Sequence, residues 1–271
     1  MPKIVRAVLC FCVLALCGPA PAQTFPDHVD PRAREDVPDL AAVPTLRFLT
    51  SADFPPFNYR DGNGDLVGYH IDLAEEICAR LSARCTIQAW PWENVSQALA
   101  DNQGDALIAG LALTPEAGES FDFSRIYLTL PGRFVTLMED AGSFAPRQFA
   151  GRVAVRAGSA HERFLREQLP EAEIVGFATE IEALGAVQAG EAAAFFGDAM
   201  RAAFWLNENP ECCAFAGPPY FRPDRFGPGF AIAFARGRDE MREAVNWALV
   251  RLQQEGRMDE LYLRWFPVSF Y

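Results

Sequence analysis

Three side chains that can hold a small solute stand beside predicted strand ends. Phe54 follows the first predicted strand, Trp92 precedes the second predicted helix, and Asp198 ends a later strand. Aromatic faces hold an apolar chain or a cation, and a carboxylate that loses water needs a cationic partner. The competing interpretations are core packing for the rings, with Trp90 as the alternative indole, and a helix N-cap for Asp198.

Two further loops supply hydrogen-bonding groups at strand ends. Gly110, Ala112 and Thr114 follow the third apolar segment, and because small residues take most places there, backbone N–H groups would have to act as donors. Ser159 stands at the start of another predicted helix, which is a physically reasonable anion site. Arg156 directly precedes that loop.

Short apolar strands alternate with amphipathic helices from Thr45 onward, which predicts parallel α/β sheets. The predicted strands cover residues 46–49, 106–109, 152–155, 174–175, 192–196 and 230–234. The predicted helices cover residues 72–83, 93–102, 239–254 and 257–266, with others beginning after Ser159 and after the capping box at Thr179. Residues 127–135 are predicted to cross to a second lobe, and the turn-rich segment 217–229 to return.

The N-terminus has the pattern of a secretory signal peptide. Lys3 and Arg6 precede an apolar run at 7–16, and Ala20-Pro21-Ala22 forms a small-x-small cleavage site, so we expect cutting before Gln23. A lipoprotein signal acylated at Cys17 is disfavoured, because Leu16 stands where a small residue is needed. Residues 1–22 are therefore predicted to be a signal peptide and the exported chain to be periplasmic.

The charge of the chain excludes some partners. The net charge of the 271 residues is −12, and removal of Lys3 and Arg6 with the signal peptide would make it −14. Such an acidic chain is a poor candidate for binding nucleic acid or an anionic membrane. Residues 23–44, rich in Pro, Asp and Arg, are predicted to be a flexible leader.

The cysteines and histidines do not predict a metal site. After signal removal four cysteines remain, Cys78, Cys85, Cys212 and Cys213, without CxxC spacing or a pair of histidines. For Cys212 and Cys213 a vicinal disulfide, two free thiols and an intermolecular link all stay open. His70 is interpreted as a surface or lobe-edge histidine.

The segment at residues 51–73 resembles the opening of the bacterial extracellular solute-binding proteins of family 3. An apolar strand runs into a Pro-Pro loop with Phe54 and Phe57, and the turn Asp61-Gly62-Asn63-Gly64-Asp65 then reverses the chain. Leu66-Val67-Gly68-Tyr69 leads into an amphipathic helix. The rest of the chain follows the family's order of elements.

This resemblance implies an α/β, two-lobed periplasmic-binding-protein fold of type II, with two doubly wound sheets joined by a two-strand hinge. Lobe 1 would comprise residues 45–130 and 223–271, and lobe 2 residues 131–222. The solute would lie in the cleft between the lobes, which closes around it. Some family members have a disulfide at the place and spacing of Cys78 and Cys85.

The resemblance also implies roles for single residues. Phe54 and Trp92 match positions that sandwich the ligand, whereas Phe57 is expected in the core. Asp198 matches the carboxylate that binds the ligand's α-ammonium. The loop with Gly110, Ala112 and Thr114 matches one that gives backbone and hydroxyl hydrogen bonds.

The chain departs from the family at the residue that grips the ligand's α-carboxylate. The usual Thr-Pro-Glu-Arg reads Thr114-Pro115-Glu116-Ala117 here. A bidentate Arg–carboxylate pair gives two charge-assisted bonds of about 1.5–3 kcal/mol each. We therefore expect another Arg to substitute, Arg156 first and Arg133 second, or a ligand without an α-carboxylate, or a cleft that has lost its ligand.

Three functions are compatible with these residues. The leading prediction is a receptor without catalysis or cofactor, a monomer that gives a small polar, amino-acid-like or other organic solute to an ABC permease in the inner membrane. A second is an enzyme similar to cyclohexadienyl dehydratases, in which Asp198 acts as an acid. A third is a ligand-poor partner of a quinoprotein dehydrogenase in the periplasm.

Overall fold

The structure is a computed structural model that describes residues 37–266 and 268–271. The predicted signal peptide and most of the predicted leader lie outside these residues. The last leader residues are not free of the fold, because Leu40–Ala42 forms a 3₁₀ turn and Val43 is buried against the first core. No helix in the described ranges is long and apolar enough to cross a membrane.

The strands and helices alternate along most of the chain. In order they are β1 (Thr45–Thr50), β2 (Asp53–Phe54), β3 (Asn58–Arg60), β4 (Leu66–Val67), α1 (Tyr69–Leu81), β5 (Arg84–Ala89), α2 (Trp92–Ala100), β6 (Ala106–Leu107), α3 (Pro115–Ser120), β7 (Phe121–Phe123), β8 (Gly132–Leu137), α4 (Met138–Ala141), β9 (Arg152–Arg156), α5 (Ala160–Gln168), β10 (Glu173–Phe177), α6 (Glu180–Gln188), β11 (Ala194–Asp198), α7 (Ala199–Glu208), β12 (Cys213–Tyr220), α8 (Pro223–Phe226), β13 (Ala233–Ala235), α9 (Asp239–Gln254) and α10 (Arg257–Trp265).

Two five-stranded sheets form the two lobes. The first has the order β5-β1-β6-β13-β7 and the second β10-β9-β11-β8-β12, and a small sheet β2-β3-β4 contains the predicted Gly-rich turn. The sequence predicts parallel sheets, but each large sheet is mixed. In the first sheet only β13 runs against the other four strands, and in the second only β8 does, so each pairs antiparallel with both of its neighbours. Strands β8 and β13 each follow a crossing from the other lobe. Between the crossing and the strand, the described chain has no helix of the same lobe that would return it to the start of the sheet, so both strands run antiparallel to their neighbours.

Two chain crossings pair with each other between the sheets. Leu128 and Phe230 form an antiparallel bridge, with N–H···O distances of 2.7 Å from Phe230 to Leu128 and 2.9 Å from Tyr127 to Phe230. Gly229 has φ +120°, and a Cβ there would lie 2.3 Å from the Leu128 carbonyl oxygen. Only glycine fits this approach, so Gly229 permits the close pairing of the two crossings.

Local sequence signals explain where most helices begin. Thr179 caps α6 and Ser159 caps α5 as predicted, each side chain accepting the N–H of the residue three positions later. The short helix α8 packs against α5 beside the second sheet, although residues 223–271 are predicted to belong with the first lobe. The exact lobe boundaries stay predictions.

His70 is buried in the first lobe, so its interpretation as a surface histidine is wrong. Its Nδ1 lies 2.7 Å from the Asn58 Oδ1, and its Nε2 lies 2.8 Å from the Tyr127 hydroxyl. Asn58 in turn donates from Nδ2 to the main-chain oxygen of Ser51 at 3.1 Å, which fixes the orientation of its amide. The ring of Phe57 packs on His70 with centroids 4.8 Å apart and is fully buried, as predicted.

These bonds make one buried chain without a formal charge, running from Tyr127 through His70 and Asn58 to Ser51. Because the Asn58 Oδ1 can only accept, the hydrogen bond at Nδ1 places a proton on that nitrogen of His70. Burial lowers the pKa of His70 to about 3. The chain joins the end of β1, the β3 strand, helix α1 and the first crossing.

All four cysteines in the described ranges form disulfides. Cys78 and Cys85 are bridged as the family resemblance implied, with Cα atoms 6.0 Å apart. The bridge fastens the end of α1 to β5 at the edge of the first sheet. Cys212 and Cys213 form a vicinal disulfide, which decides among the three states left open by the sequence.

The buried imidazole predicts a pH dependence of stability. Because the pKa of His70 is about 3 in the folded chain and 6.5 for an unperturbed histidine, the unfolded chain binds the extra proton between these values. His70 should therefore reduce the free energy of unfolding by about 1.4 kcal/mol per pH unit as pH falls below 6.5. Urea unfolding of wild type and His70→Gln at pH 7, 6 and 5 measures this difference. Parallel slopes for the two proteins would contradict it.

Candidate functional site

Phe54 lies at the end of β2 in the first lobe. Its ring is half-buried, with its centroid 4.9 Å from Phe57 and 6.2 Å from Phe230. Gly110 lies directly beside it, since a Cβ on Gly110 would be 3.0 Å from a Phe54 ring carbon. The structure therefore brings together Phe54 and the Gly110 loop, as predicted from the sequence, and adds Phe230 from the second crossing.

Trp92 stands at the first residue of α2 with 44% of its surface exposed. It lines an open groove of about 350 Å³ whose other lining residues are Ala52, Asp53, Arg60, Ala89, Trp90, Pro91 and Glu93. Both competing indoles thus face one groove. The Nε1 of Trp90 is buried without a hydrogen-bond acceptor among the described residues. The sequence analysis missed Asp53 and Glu93, although each adjoins a predicted site residue.

The loop after β6 presents mostly backbone groups. Ala112 is exposed, and its carbonyl oxygen accepts the N–H of Thr114 at 3.0 Å. The Thr114 hydroxyl accepts the N–H of Ala117 at 3.1 Å and so caps α3. The Thr114 hydroxyl also donates to the Glu116 carboxylate, so its proton is already used within the loop. The backbone N–H of Glu116 and this hydroxyl together lower the pKa of Glu116. At the start of α3 this chain has the methyl group of Ala117 where the family usually has the guanidinium of an Arg.

Asp198 ends β11 and caps α7. One carboxylate oxygen accepts the N–H of Arg201 at 3.0 Å, while the Arg201 side chain lies 3.5 Å from Glu180. Within the described ranges the Asp198 carboxylate forms no ion pair. Loss of water around it raises its pKa to about 6, and the negative charge of Glu180 adds to this effect. The N-cap and the ligand-binding interpretations are compatible, because capping occupies only one side of the carboxylate.

Arg156 and Ser159 lie at the strand end of β9, in the same lobe as Asp198. The guanidinium of Arg156 is exposed and makes no hydrogen bond or ion pair with any described residue. The loop beside it already holds an anion of its own chain. Glu162 accepts the N–H of Gly158 at 2.7 Å, and Ser159 Oγ accepts the N–H of Glu162 at 3.0 Å. A ligand carboxylate would therefore meet Arg156 and the Ser159 hydroxyl proton rather than bare backbone donors.

His161 adjoins this loop and was missed as a site candidate. Its ring stacks on Phe226 with centroids 4.3 Å apart, and Phe196 touches its edge at 5.7 Å. Its Nε2 is shielded from solvent without a partner in the described part of the chain. Burial lowers the pKa of His161 to about 4, so the ring is neutral at pH 7.

Arg133, the second substitute for the missing Arg, is engaged elsewhere. It is buried, and its terminal nitrogens donate to the main-chain oxygens of Gly217, Phe270 and Tyr271 at 3.1–3.2 Å. Its guanidinium carbon lies 4.5 Å from the centroid of the Phe215 ring. This cation is committed to the chain itself, so of the two candidate arginines only Arg156 has a guanidinium without a partner among the described residues.

The predicted site residues thus form two groups, each at strand ends or in adjoining loops of one lobe. Phe54, Trp92, Gly110, Ala112 and Thr114 belong to the first lobe, and Arg156, Ser159 and Asp198 to the second. No hydrogen bond or ion pair joins the two groups among the described residues. The described ranges also contain no cluster of three His, Cys, Asp or Glu side chains suited to a metal ion. The arrangement suits a solute that itself connects the two groups.

Comparison with known sequences agrees with this architecture. Residues 46–268 match the family described as "Bacterial extracellular solute-binding proteins, family 3". The "Putative ABC transporter arginine-binding protein 2" of Escherichia coli is 28% identical over 83% of this chain and 92% of its own. The "Histidine-binding periplasmic protein" of the same species is 27% identical over 86% of this chain and 92% of its own.

Solved structures give a similar result. An ancestral cyclohexadienyl dehydratase has a TM-score of 0.71 at 27% identity, over 87% of this chain and 99% of its own. An ancestral arginine-binding protein bound to arginine has a TM-score of 0.51 at 29% identity, over 82% of this chain and 98% of its own. With the family match spanning most of its length, this chain belongs to the bacterial extracellular solute-binding proteins of family 3.

Proposed function

We propose that the protein is a periplasmic receptor that binds a small amino-acid-like solute with a cationic group and gives it to an ABC permease. The observation that carries this proposal is Asp198, a half-buried carboxylate without an ion-pair partner in the described chain. Removing a carboxylate from water is unfavourable unless a cation compensates it. A ligand ammonium placed between the lobes supplies that cation.

Arg156 is the proposed partner of the ligand's carboxylate. It is a free cation at the same edge of the second sheet as Asp198, because both residues end neighbouring parallel strands, β9 and β11. An α-amino acid has the two complementary charges on one carbon. The second lobe would then bind both the ammonium and the carboxylate of the ligand. In the family the carboxylate is usually bound by a first-lobe Arg, which is Ala117 here.

The first lobe favours a ligand with a positive side chain. Trp90 and Trp92 offer indole faces, and Asp53 and Glu93 add two carboxylates to the same groove. Aromatic faces and carboxylates both attract an organic cation. Arg60 in the groove reduces this preference without reversing it, since two acids oppose one base. Arginine, lysine and histidine are therefore the first ligands to test, and the two relatives above are named for binding arginine and histidine.

The transport role depends on partners outside this chain. The relatives are named as components of ABC transporters or as periplasmic proteins, and the N-terminal sequence predicts export. We propose a monomer that acts without a cofactor and docks on an inner-membrane permease after ligand closure. The protein would perform no catalysis.

A second candidate is a dehydratase, favoured by one observation. The pKa of Asp198, raised to about 6, is nearer to that of a general acid than the pKa of an ordinary carboxyl group. The similarity to the ancestral cyclohexadienyl dehydratase concerns the whole fold and does not identify an acid.

Affinity for a cationic amino acid should depend on pH through Asp198. The pKa of Asp198 is about 6 without ligand, and an ammonium partner should lower it, so binding weakens as pH falls below 6. We expect a loss of up to about ten-fold per pH unit below 6. Calorimetric titration with L-arginine at pH 7.5, 6 and 5 measures this, and Asp198→Asn should bind weakly at every pH. Equal affinities at the three pH values would exclude Asp198 as the ammonium site.

Arg156→Ala should weaken binding of L-arginine by about 10- to 100-fold, through loss of charge-assisted hydrogen bonds to the carboxylate. Arg152→Ala is the matched control. Arg152 is an exposed Arg at the other end of the same strand and pairs with Glu173 at 2.9 Å. It should leave affinity unchanged, and an unchanged affinity in Arg156→Ala would remove Arg156 from the site.

The receptor and enzyme candidates differ in turnover. A receptor shows a thermal shift with amino acids and leaves prephenate and arogenate intact, whereas a dehydratase converts them. We expect no product above the uncatalysed rate in a spectrophotometric assay of the purified protein. Product formation that disappears in Asp198→Asn would replace the receptor proposal by the enzyme. No shift with any solute would instead favour the dehydrogenase-partner interpretation.

A further inference from the structure

A short segment after α10 contacts both crossings at once. This closing segment, residues 268–271, follows a helix of the first lobe. The hydroxyl of Tyr271 donates to the main-chain oxygen of Thr129 in the first crossing at 3.0 Å. Its ring stacks on Phe221, after β12, with centroids 6.1 Å apart. The segment thus lies across the hinge.

The closing segment also packs into both lobes. Phe270 is fully buried in the first core, where its N–H donates to the Tyr262 hydroxyl at 2.9 Å. Val268 packs against the first core and against the core cluster beneath α6 and α7 in the second lobe. A rotation of one lobe on the other must move these contacts.

Arg133 fastens the closing segment to the second sheet. It lies in β8, just after the first crossing, and holds Gly217 of β12 together with Phe270 and Tyr271. One guanidinium therefore joins the second sheet to the closing segment. Its fork of N–H donors can reach several carbonyl oxygens in one plane, which an ammonium cannot do equally well.

Core stability alone is a weak reason for this arginine. Burial lowers the pKa of Arg133 to about 10, so the group stays charged at neutral pH while it is nearly removed from water. Replacement of buried ionic groups by apolar ones is often neutral or stabilising. The position also has an apolar neighbour, the Phe215 ring, against which an aliphatic side chain would pack. What an aliphatic side chain would not supply is the connection to three carbonyl oxygens.

We propose that the closing segment is a connection between the lobes in addition to the two crossings and to α7, whose Ala199, Met200 and Ala203 also pack into the first core. Arg133 is the positioning residue of this segment and restricts the hinge angles that the ligand-free protein adopts. This inference rests on the proposed function in one respect, which is that closure of the lobes serves ligand binding. The two crossings form the pivot, and the connection through Arg133 limits rotation about it. Solute affinity would then include the free energy of shifting this connection.

The test measures the distance between the lobes without ligand. Spin labels on unnatural amino acids at Glu119 and Glu191, both exposed and in different lobes, give a distance distribution. Arg133→Met should broaden it, because three carbonyl oxygens lose their donor, while Arg133→Lys should restore part of the wild-type width. Arg84→Met, at an exposed site on β5, should leave the width unchanged.

Tyr271→Phe is the milder variant, and it tests the proposal if Arg133→Met does not fold. It removes one hydrogen bond and should shift the balance of hinge conformers by about 2- to 10-fold. Wild-type distributions in folded Arg133→Met and Tyr271→Phe would overturn the proposal. The ligand-free distances do not depend on solute binding. A wild type that fails to bind L-arginine would therefore count against the proposed ligand class and leave the hinge result intact.

Discussion

The buried chain of hydrogen bonds through His70 fixes the first wall of the cleft. Phe54 lies in the short strand β2, which pairs with β3 at Asn58. Asn58 ties Ser51, just before β2, to α1 through His70, and Tyr127 ties α1 to the first crossing. Each donor in the chain has an acceptor, so the polar atoms are buried without the penalty of an unsatisfied group. The same bonds connect the proposed binding wall to the first crossing.

Two ionic groups of the second lobe, the buried Arg133 and the half-buried Asp198, differ in how well their charge is compensated by neighbouring groups. Arg133 has three carbonyl acceptors and a ring, whereas Asp198 has backbone donors and no cation. Both terminal nitrogens of Arg133 have acceptors, although its Nε has none among the described residues, and a cation held in this way belongs to the architecture. A group left incomplete at a strand end is where a ligand gains affinity, since it supplies the missing charge. This difference separates the hinge arginine from the site carboxylate, although both lie near the first crossing.

Elements with strong periodicity could be predicted from the sequence, and single polar residues mostly could not. Helix α9 has the predicted bounds, because four apolar residues at helical spacing define one face. His70 was misjudged by residue type, although its spacing three before Leu73 and seven before Ile77 places it on the buried face of α1. The partners that make this burial possible, Asn58 and Tyr127, are 12 and 57 residues away. The Ser-x-x-Glu spacing at Ser159 and Glu162 was a local signal for the occupied helix start, parallel to the one used at Thr179.

The charged residues around the cleft, taken together, indicate more about the class of ligand than the missing Arg does alone. With Ala117 in place of Arg, the first lobe keeps Asp53 and Glu93 against Arg60, and the second sets Asp198 against Arg156. An anionic solute such as glutamate would meet three carboxylates and two guanidinium groups, whereas a basic amino acid places its extra cation beside the acids. Loss of the first-lobe Arg also removes a repulsion for such a cation. If the protein binds amino acids as proposed, we expect Ala117 to weaken binding of the basic ones least, so that the loss of the Arg itself would produce selectivity.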